Sequence, residues 1–144
     1  MTAIDYNTAA GRRDDLSLTA VTVISFGYLH GAPPEAHAVF DVRRHFKDPH
    51  VDPELRELTG TYGAVFDAVM ATPGIPGLVG AVAAAARAFL AGPQRGKVVI
   101  AVGCAGGRHR SVVIAGEVAR ELQDSDVTAT VYDRDMHRPV IARP

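Results

Sequence analysis

The sequence predicts an α/β domain: a mostly parallel sheet with helices on both faces, forming a single three-layer unit. Three observations lead there. Short runs rich in β-branched residues alternate with segments whose apolar residues recur every three or four positions, and strands separated by helices pair in parallel. One such run, Lys97 to Val102, passes through Gly106-Gly107 into an amphipathic segment, which is the signature of a strand–turn–helix unit. The length of 144 residues, with 47% hydrophobic and 22% charged, suits one globular domain with a real core.

Taken in order, Thr19 to Phe26 is the first strand, dense in Val, Ile and Thr and stopped by Gly27. Gly27 to Pro34 reads as a loop, and Ala38 to Val42 as a second short strand ending at Arg43 and Arg44. His45 to Gly60 is irregular; Asp48-Pro49 and Asp52-Pro53 are turn or helix-start signals, with one helical turn at Glu54 to Leu58. Thr61 to Ala71 is a helix with Val65, Phe66 and Val69 on its apolar stripe, ended by Pro73-Gly74. Gly77 to Ala91 is a second helix. Its stripe is Leu78, Val82, Ala85 and Phe89, and its many alanines allow a close approach by the sheet or by a second subunit. After the strand Lys97 to Val102, a third helix from Ser111 to Asp124 turns Ile114, Val118 and Leu122 to the core. Val127 to Tyr132 is the last strand, and Asp133 to Pro144 a polar tail.

Composition excludes several classes. A formal charge of −1 gives no global field for nucleic acid or anionic lipid, so any basic site is local. One cysteine forms no internal disulfide, which fits a reducing cytoplasm. Residues 1–17 read as a flexible lead-in, with the domain over 18–144, and Arg12 to Asp15 interrupt any signal-like apolar core. Ile75 to Ala86 is too short and too broken by Pro76, Gly77 and Gly80 to span a membrane. Aromatics at 6% form no stacking cluster, and no Gly-x4-Gly-Lys-Ser/Thr is present.

The chemistry concentrates in Cys104-Ala105-Gly106-Gly107-Arg108-His109-Arg110-Ser111. A strand turning through two glycines into a helix aims backbone amides and a positive dipole end at one spot. Three cationic or protonatable residues there oppose the dipole unless an anion is bound, so the loop is a candidate phosphate or carboxylate site. Cys104, five residues, Arg110 and then Ser111 also match the spacing of cysteine-dependent phosphatases, with a thiolate nucleophile and an arginine clamp. Such an enzyme needs a carboxylic acid as well, for which Asp41, Asp48 and Asp133 are candidates. The bland alternative makes the glycines a tight turn and Cys104 a small buried hydrophobe. His30, His50 and His109 lie in three loops without metal-ligand spacing, so no metal and no cofactor are expected. Arg43, Arg44 and Lys47 form a short basic run able to contact an RNA backbone or simply to face water.

Four blocks are familiar together: Ile24 to Tyr28 with His30-Gly31; Val39 to Arg43; Asp48-Pro49-His50 with Asp52 to Arg56 and Leu58 to Gly60; and Ala101 to Cys104 with Gly106 to Ser111. In this order and spacing they resemble the C-terminal domain of the RapZ family of bacterial RNase adapter proteins, from about Val21 to Val131. Known members carry a P-loop nucleotide-binding domain before this one. The chain begins roughly where that domain would end, so ATP or GTP binding is not carried over. The resemblance implies binding of an amino-sugar phosphate, glucosamine-6-phosphate, binding of small regulatory RNAs, and self-association. It places the phosphate in the Cys104 to Ser111 loop, Asp41 and His50 near the sugar, and His30 nearby. Two positions depart from the family: Ala105 stands where Thr is common, and the tail Asp133 to Pro144 is of mixed sign instead of basic. The expectation is a non-catalytic cytoplasmic sensor of a phosphorylated metabolite and an adapter to RNA or to a protein partner. It is expected to form a homo-oligomer without membrane contact. A cysteine-dependent phosphatase is the alternative.

Overall fold

A computed structural model describes residues 19–143, so the expected lead-in lies outside the described residues. Four strands, β1 (Val21–Gly27), β2 (Ala38–Asp41), β3 (Val98–Cys104) and β4 (Ala129–Asp133), make one sheet in the order β2-β3-β1-β4. Every pairing is parallel, with Val21 opposite both Val98 and Ala129, and Ala38 opposite Ile100. The helices are α1 (Gly63–Met70), α2 (Ile75–Ala91) and α3 (Arg110–Asp124). The domain is α/β with a parallel sheet, as the alternation of elements predicts.

The layering is narrower than expected. Val21, Val23, Ile100, Val102 and Val131, on one face of the sheet, share a single core with α1, α2 and α3. Their neighbours on the opposite face do not join it: Phe26 and Ala101 are buried apart from that core, Thr22, Ile24 and Val99 are half-buried, and Val39 and Tyr132 remain 42% and 57% exposed. The three-layer expectation is therefore corrected to helices on one face. The cause lies in the connections: α1 and α2 fall in the single link from β2 to β3. The link from β1 to β2 carries only a 3-10 turn, Tyr28–His30, and supplies no helix for the second face.

Local chemistry explains the helix ends. Gly74, at φ 94°, precedes α2, and Pro76 sits in its first turn, where a missing amide hydrogen is harmless. The helix therefore starts two residues earlier than predicted, and its buried side is Ile75, Val79, Val82, Ala83 and Ala86. The predicted stripe is thus rotated. Phe89 is 45% exposed and lies beside the His37 ring instead of in the core. Alanine at positions 83 and 86 lets α2 seat closely, which a purely hydrophobic count of the helix does not capture. The Glu54 to Leu58 segment forms successive turns closed by Asp52 and Leu55 carbonyls, not a regular helix. No single helix among the described residues is long and apolar enough to cross a membrane.

Candidate functional site

The loops after β1 and β3 are neighbours because those strands are central and parallel, with Gly27 opposite Cys104. Their approach is very close. A Cβ on Gly27 would stand 2.4 Å from the Gly106 carbonyl carbon, and one on Gly107 would stand 2.6 Å from the Gly27 nitrogen. Gly107 also adopts φ 70°, so both positions require glycine. Asp135, beyond β4, locks this crossing: its carboxylate accepts the Gly27 amide at 2.8 Å and pairs with Arg134 at 2.9 Å and Arg138 at 3.1 Å. Burial pushes the Asp135 carboxyl up, but the Arg134 and Gly27 hydrogen bonds outweigh it and leave the pKa below the ordinary value.

Within the Cys104 to Ser111 loop, the Gly107 amide donates to the Cys104 sulfur at 3.2 Å, and Ser111 Oγ lies 3.1 Å from the same sulfur. Cys104 is only 2% exposed. Among the described residues, the amides of Gly106 and Arg108 meet no protein acceptor. Arg108 ties three segments together: its Nε and Nη2 donate to the Glu57 carbonyl and its Nη1 to the carbonyls of Met136 and Arg138. His109 is buried with Nε2 3.1 Å from the Leu55 carbonyl oxygen; burial holds its pKa below the ordinary range.

Arg110 turns inward. It is 2% exposed, and Nη1 donates to the carbonyls of Val42, Arg43 and Phe46 at 3.2, 2.9 and 3.4 Å. Its Nη2 pairs with Asp48 Oδ2 at 3.0 Å. These carbonyls converge because His45 takes a left-handed φ of 72°, which curls the segment after β2 around the guanidinium. Positive charge at the head of α3 is thus answered by carbonyl oxygens and Asp48, the compensation that sequence reasoning assigned to a bound anion. Asp48 also accepts the His50 amide at 3.0 Å and pairs with Arg143 at 2.6 Å. Burial raises its pKa, but the His50 amide and the two guanidiniums outweigh that and leave it below the ordinary carboxylate value.

One cleft gathers much of what the sequence singled out. It is lined by His30, His50, Gly106, Arg108 and His109, together with Arg138 to Ile141 and Arg143 of the tail. Burial lowers the His50 pKa, and Arg143 beside it lowers it further. Cys104, Ala105, Gly107, Arg110 and Ser111 do not line the cleft, nor does Asp41. Asp41 ends β2 on the open face, where it binds Arg43 through two hydrogen bonds of 2.7 and 3.0 Å; this hydrogen bonding keeps its pKa low. The Arg43 guanidinium stacks 3.7 Å from the Tyr28 ring centroid, and Arg44 and Lys47 are exposed nearby. No group of three or more His, Cys, Asp or Glu is placed to hold a metal among the described residues.

Sequence reasoning missed Arg138, Arg143 and Asp135, and gave Asp48 as a turn signal, a possible acid and part of a family block, not as the partner of two arginines. The Asp48-Pro49 signal corresponds to a real cap, with the aspartate at the head of the 3-10 turn Pro49–Val51. Arg143 had no signal, because its partner lies 95 residues earlier in the chain.

Comparison with known proteins fits this architecture. The family model described as the RapZ C-terminal domain matches residues 19–137. A nucleotide-binding protein of Salinispora tropica is 43% identical over 128 residues, covering 87% of this chain and 42% of that protein. Nucleotide-binding proteins of Mycolicibacterium vanbaalenii and Thermobifida fusca are 42% and 41% identical, with 83% and 81% of this chain covered, and 38% and 40% of theirs. The chain therefore spans about 40% of the length of these relatives. It belongs to the RapZ C-terminal domain family.

Proposed function

We propose that this domain is a non-catalytic sensor which binds a small phosphorylated metabolite, an amino-sugar phosphate of the glucosamine-6-phosphate type, and relays its presence to an RNA or protein partner. One observation carries the reading. Among the described residues, the cleft at the carboxyl ends of β1 and β3 is lined by three histidines and three arginines and by no carboxylate. Ligands of open parallel sheets bind at this end, and such a lining selects an anion. The amides of Gly106 and Arg108, which meet no acceptor among the described residues, add fixed donors.

Calorimetry with glucosamine-6-phosphate, glucosamine and inorganic phosphate tests this. Binding should require the phosphate, and equal affinity for glucosamine and its phosphate ester would refute it. The phosphatase reading is disfavoured by Arg110, whose guanidinium is held on Asp48 and three carbonyls and is not presented to a substrate. For RNA, the exposed Arg43, Arg44 and Lys47 beside Tyr28 are the basic surface, and true backbone contacts would make affinity fall steeply with salt. Self-association, also proposed, is read directly by light scattering.

A further inference from the structure

The tail from Arg138 to Arg143 has no helix or strand, yet it forms one wall of the cleft opposite Gly106, Arg108 and His50. It is fastened at both ends. Arg108 Nη1 holds the Arg138 carbonyl at 3.0 Å, and Arg143 Nη1 reaches Asp48 Oδ2 at 2.6 Å. The same Asp48 oxygen receives Arg110, so two guanidiniums share one carboxylate and positive charge is left over. Among the described residues the Arg143 Nε is buried without an acceptor; the Arg110 Nε is too, but that arginine does not line the cleft. Such donors are rarely left unpaired in a folded interior. Arg143 Nη2 would lie 3.5 Å from a Cβ built on Gly106, so the guanidinium rests against the glycine turn itself. Only about 10 Å³ of free space remains between the walls, about one water's worth.

We infer that Arg143 is a ligand-binding residue carried on a C-terminal strap, and that the ligand is a small phosphate monoester enclosed between this arginine and the Gly106–Arg108 turn. The inference rests on the anion-site reading above and deepens it. The cleft has no room for a sugar phosphate while the strap is seated, so the strap lifts to admit the ligand. It then closes with the Arg143 guanidinium on the anion. The apolar Val140 and Ile141 in the wall favour a compact ester over a polyanionic backbone.

The test is calorimetry of glucosamine-6-phosphate and inorganic phosphate with the full chain, Arg143→Ala, Arg143→Lys and the control Arg120→Ala, whose side chain is 62% exposed on α3. Arg143→Ala should bind at least about tenfold more weakly, Arg143→Lys should recover part of the loss, and the control should match the parent. Hydrogen exchange gives a reading that needs no variant: the amides of Val140 to Arg143 should slow when the parent is saturated with ligand. Unchanged or tighter binding by Arg143→Ala, or unchanged exchange in the tail, overturns the strap and leaves the anion site standing. Failure of the parent to bind either phosphate compound overturns both.

Discussion

Replacing Arg110 by alanine separates an arginine that holds the fold from one that holds a ligand. In the structure its guanidinium donates to three carbonyls of the 42–46 segment and pairs with Asp48. The contact to Arg43 at 2.9 Å is the strong one, and those at 3.2 and 3.4 Å are weaker. A hydrogen bond from a charged donor contributes about 1.5–3 kcal/mol, and breaking a buried ion pair costs about 3–5 kcal/mol. The lower part of that range applies, since Asp48 is 20% exposed and keeps Arg143 and the His50 amide. With the ion pair near ~3 kcal/mol and the carbonyl contacts adding up to about 2 kcal/mol, the loss is about 3–5 kcal/mol, a large fraction of the total stability of a domain this size. At roughly 3–5 °C per kcal/mol, the melting temperature should fall by about 10–20 °C. Arg110→Lys keeps the charge but cannot fork across carbonyls and carboxylate together, so about half the loss should remain. Thermal and urea unfolding measure both. If Arg110→Ala melts within a couple of degrees of the parent while phosphate binding disappears, the guanidinium is a ligand clamp and the tie described here is wrong.

Other outcomes follow from the same geometry. Gly107→Ala forces a Cβ into a φ of 70° and to 2.6 Å from the Gly27 nitrogen, and should cost more than about 3 kcal/mol. Gly77→Ala in α2 meets nothing within 4 Å and should stabilise by about 0.5–1 kcal/mol; denaturant midpoints compare the pair. The pKa of His109 is held below its ordinary 6.5 by burial, so the unfolded chain takes up the proton first as pH falls. Its contribution is therefore intact above pH 6.5 and declines below it, through the folded pKa, with His50 acting in the same window. The losses from Asp48 and Asp135 begin only near 3.8 and continue below it. Melting curves from pH 7 to 5 should show a decline that His109→Gln reduces, and a flat profile would contradict this. Cys104, only 2% exposed, should support no turnover of an aryl phosphate, and hydrolysis lost in Cys104→Ser would restore the phosphatase reading.

The strands and the turn between β3 and α3 were legible because each is written in a few consecutive residues. Val21 to Phe26 and Val98 to Val102 carry their β-preference locally, and Gly106-Gly107 announces a tight turn from strand into helix. Where sequence reasoning slipped, a neighbour distant along the chain decided. The α2 stripe was read from Leu78 and Phe89, but the buried side is set by how closely the sheet and α3 accept Ala83 and Ala86. The layering was read from alternation alone, which counts helices without saying which face they cover.

By itself, then, the sequence determined an α/β domain with a parallel sheet, the glycine turn, the family blocks and a cationic helix entry. These follow from periodicity, β-preference and turn chemistry, which act over a few residues. Only the tertiary structure decided where the charge goes. It brought Arg110 and Arg143 to one oxygen of Asp48, turned the helix-entry arginine inward, and laid the tail against the glycine turn. The physical reason is that a buried charge must find its partner through space, and no local pattern records which distant carboxylate will meet it.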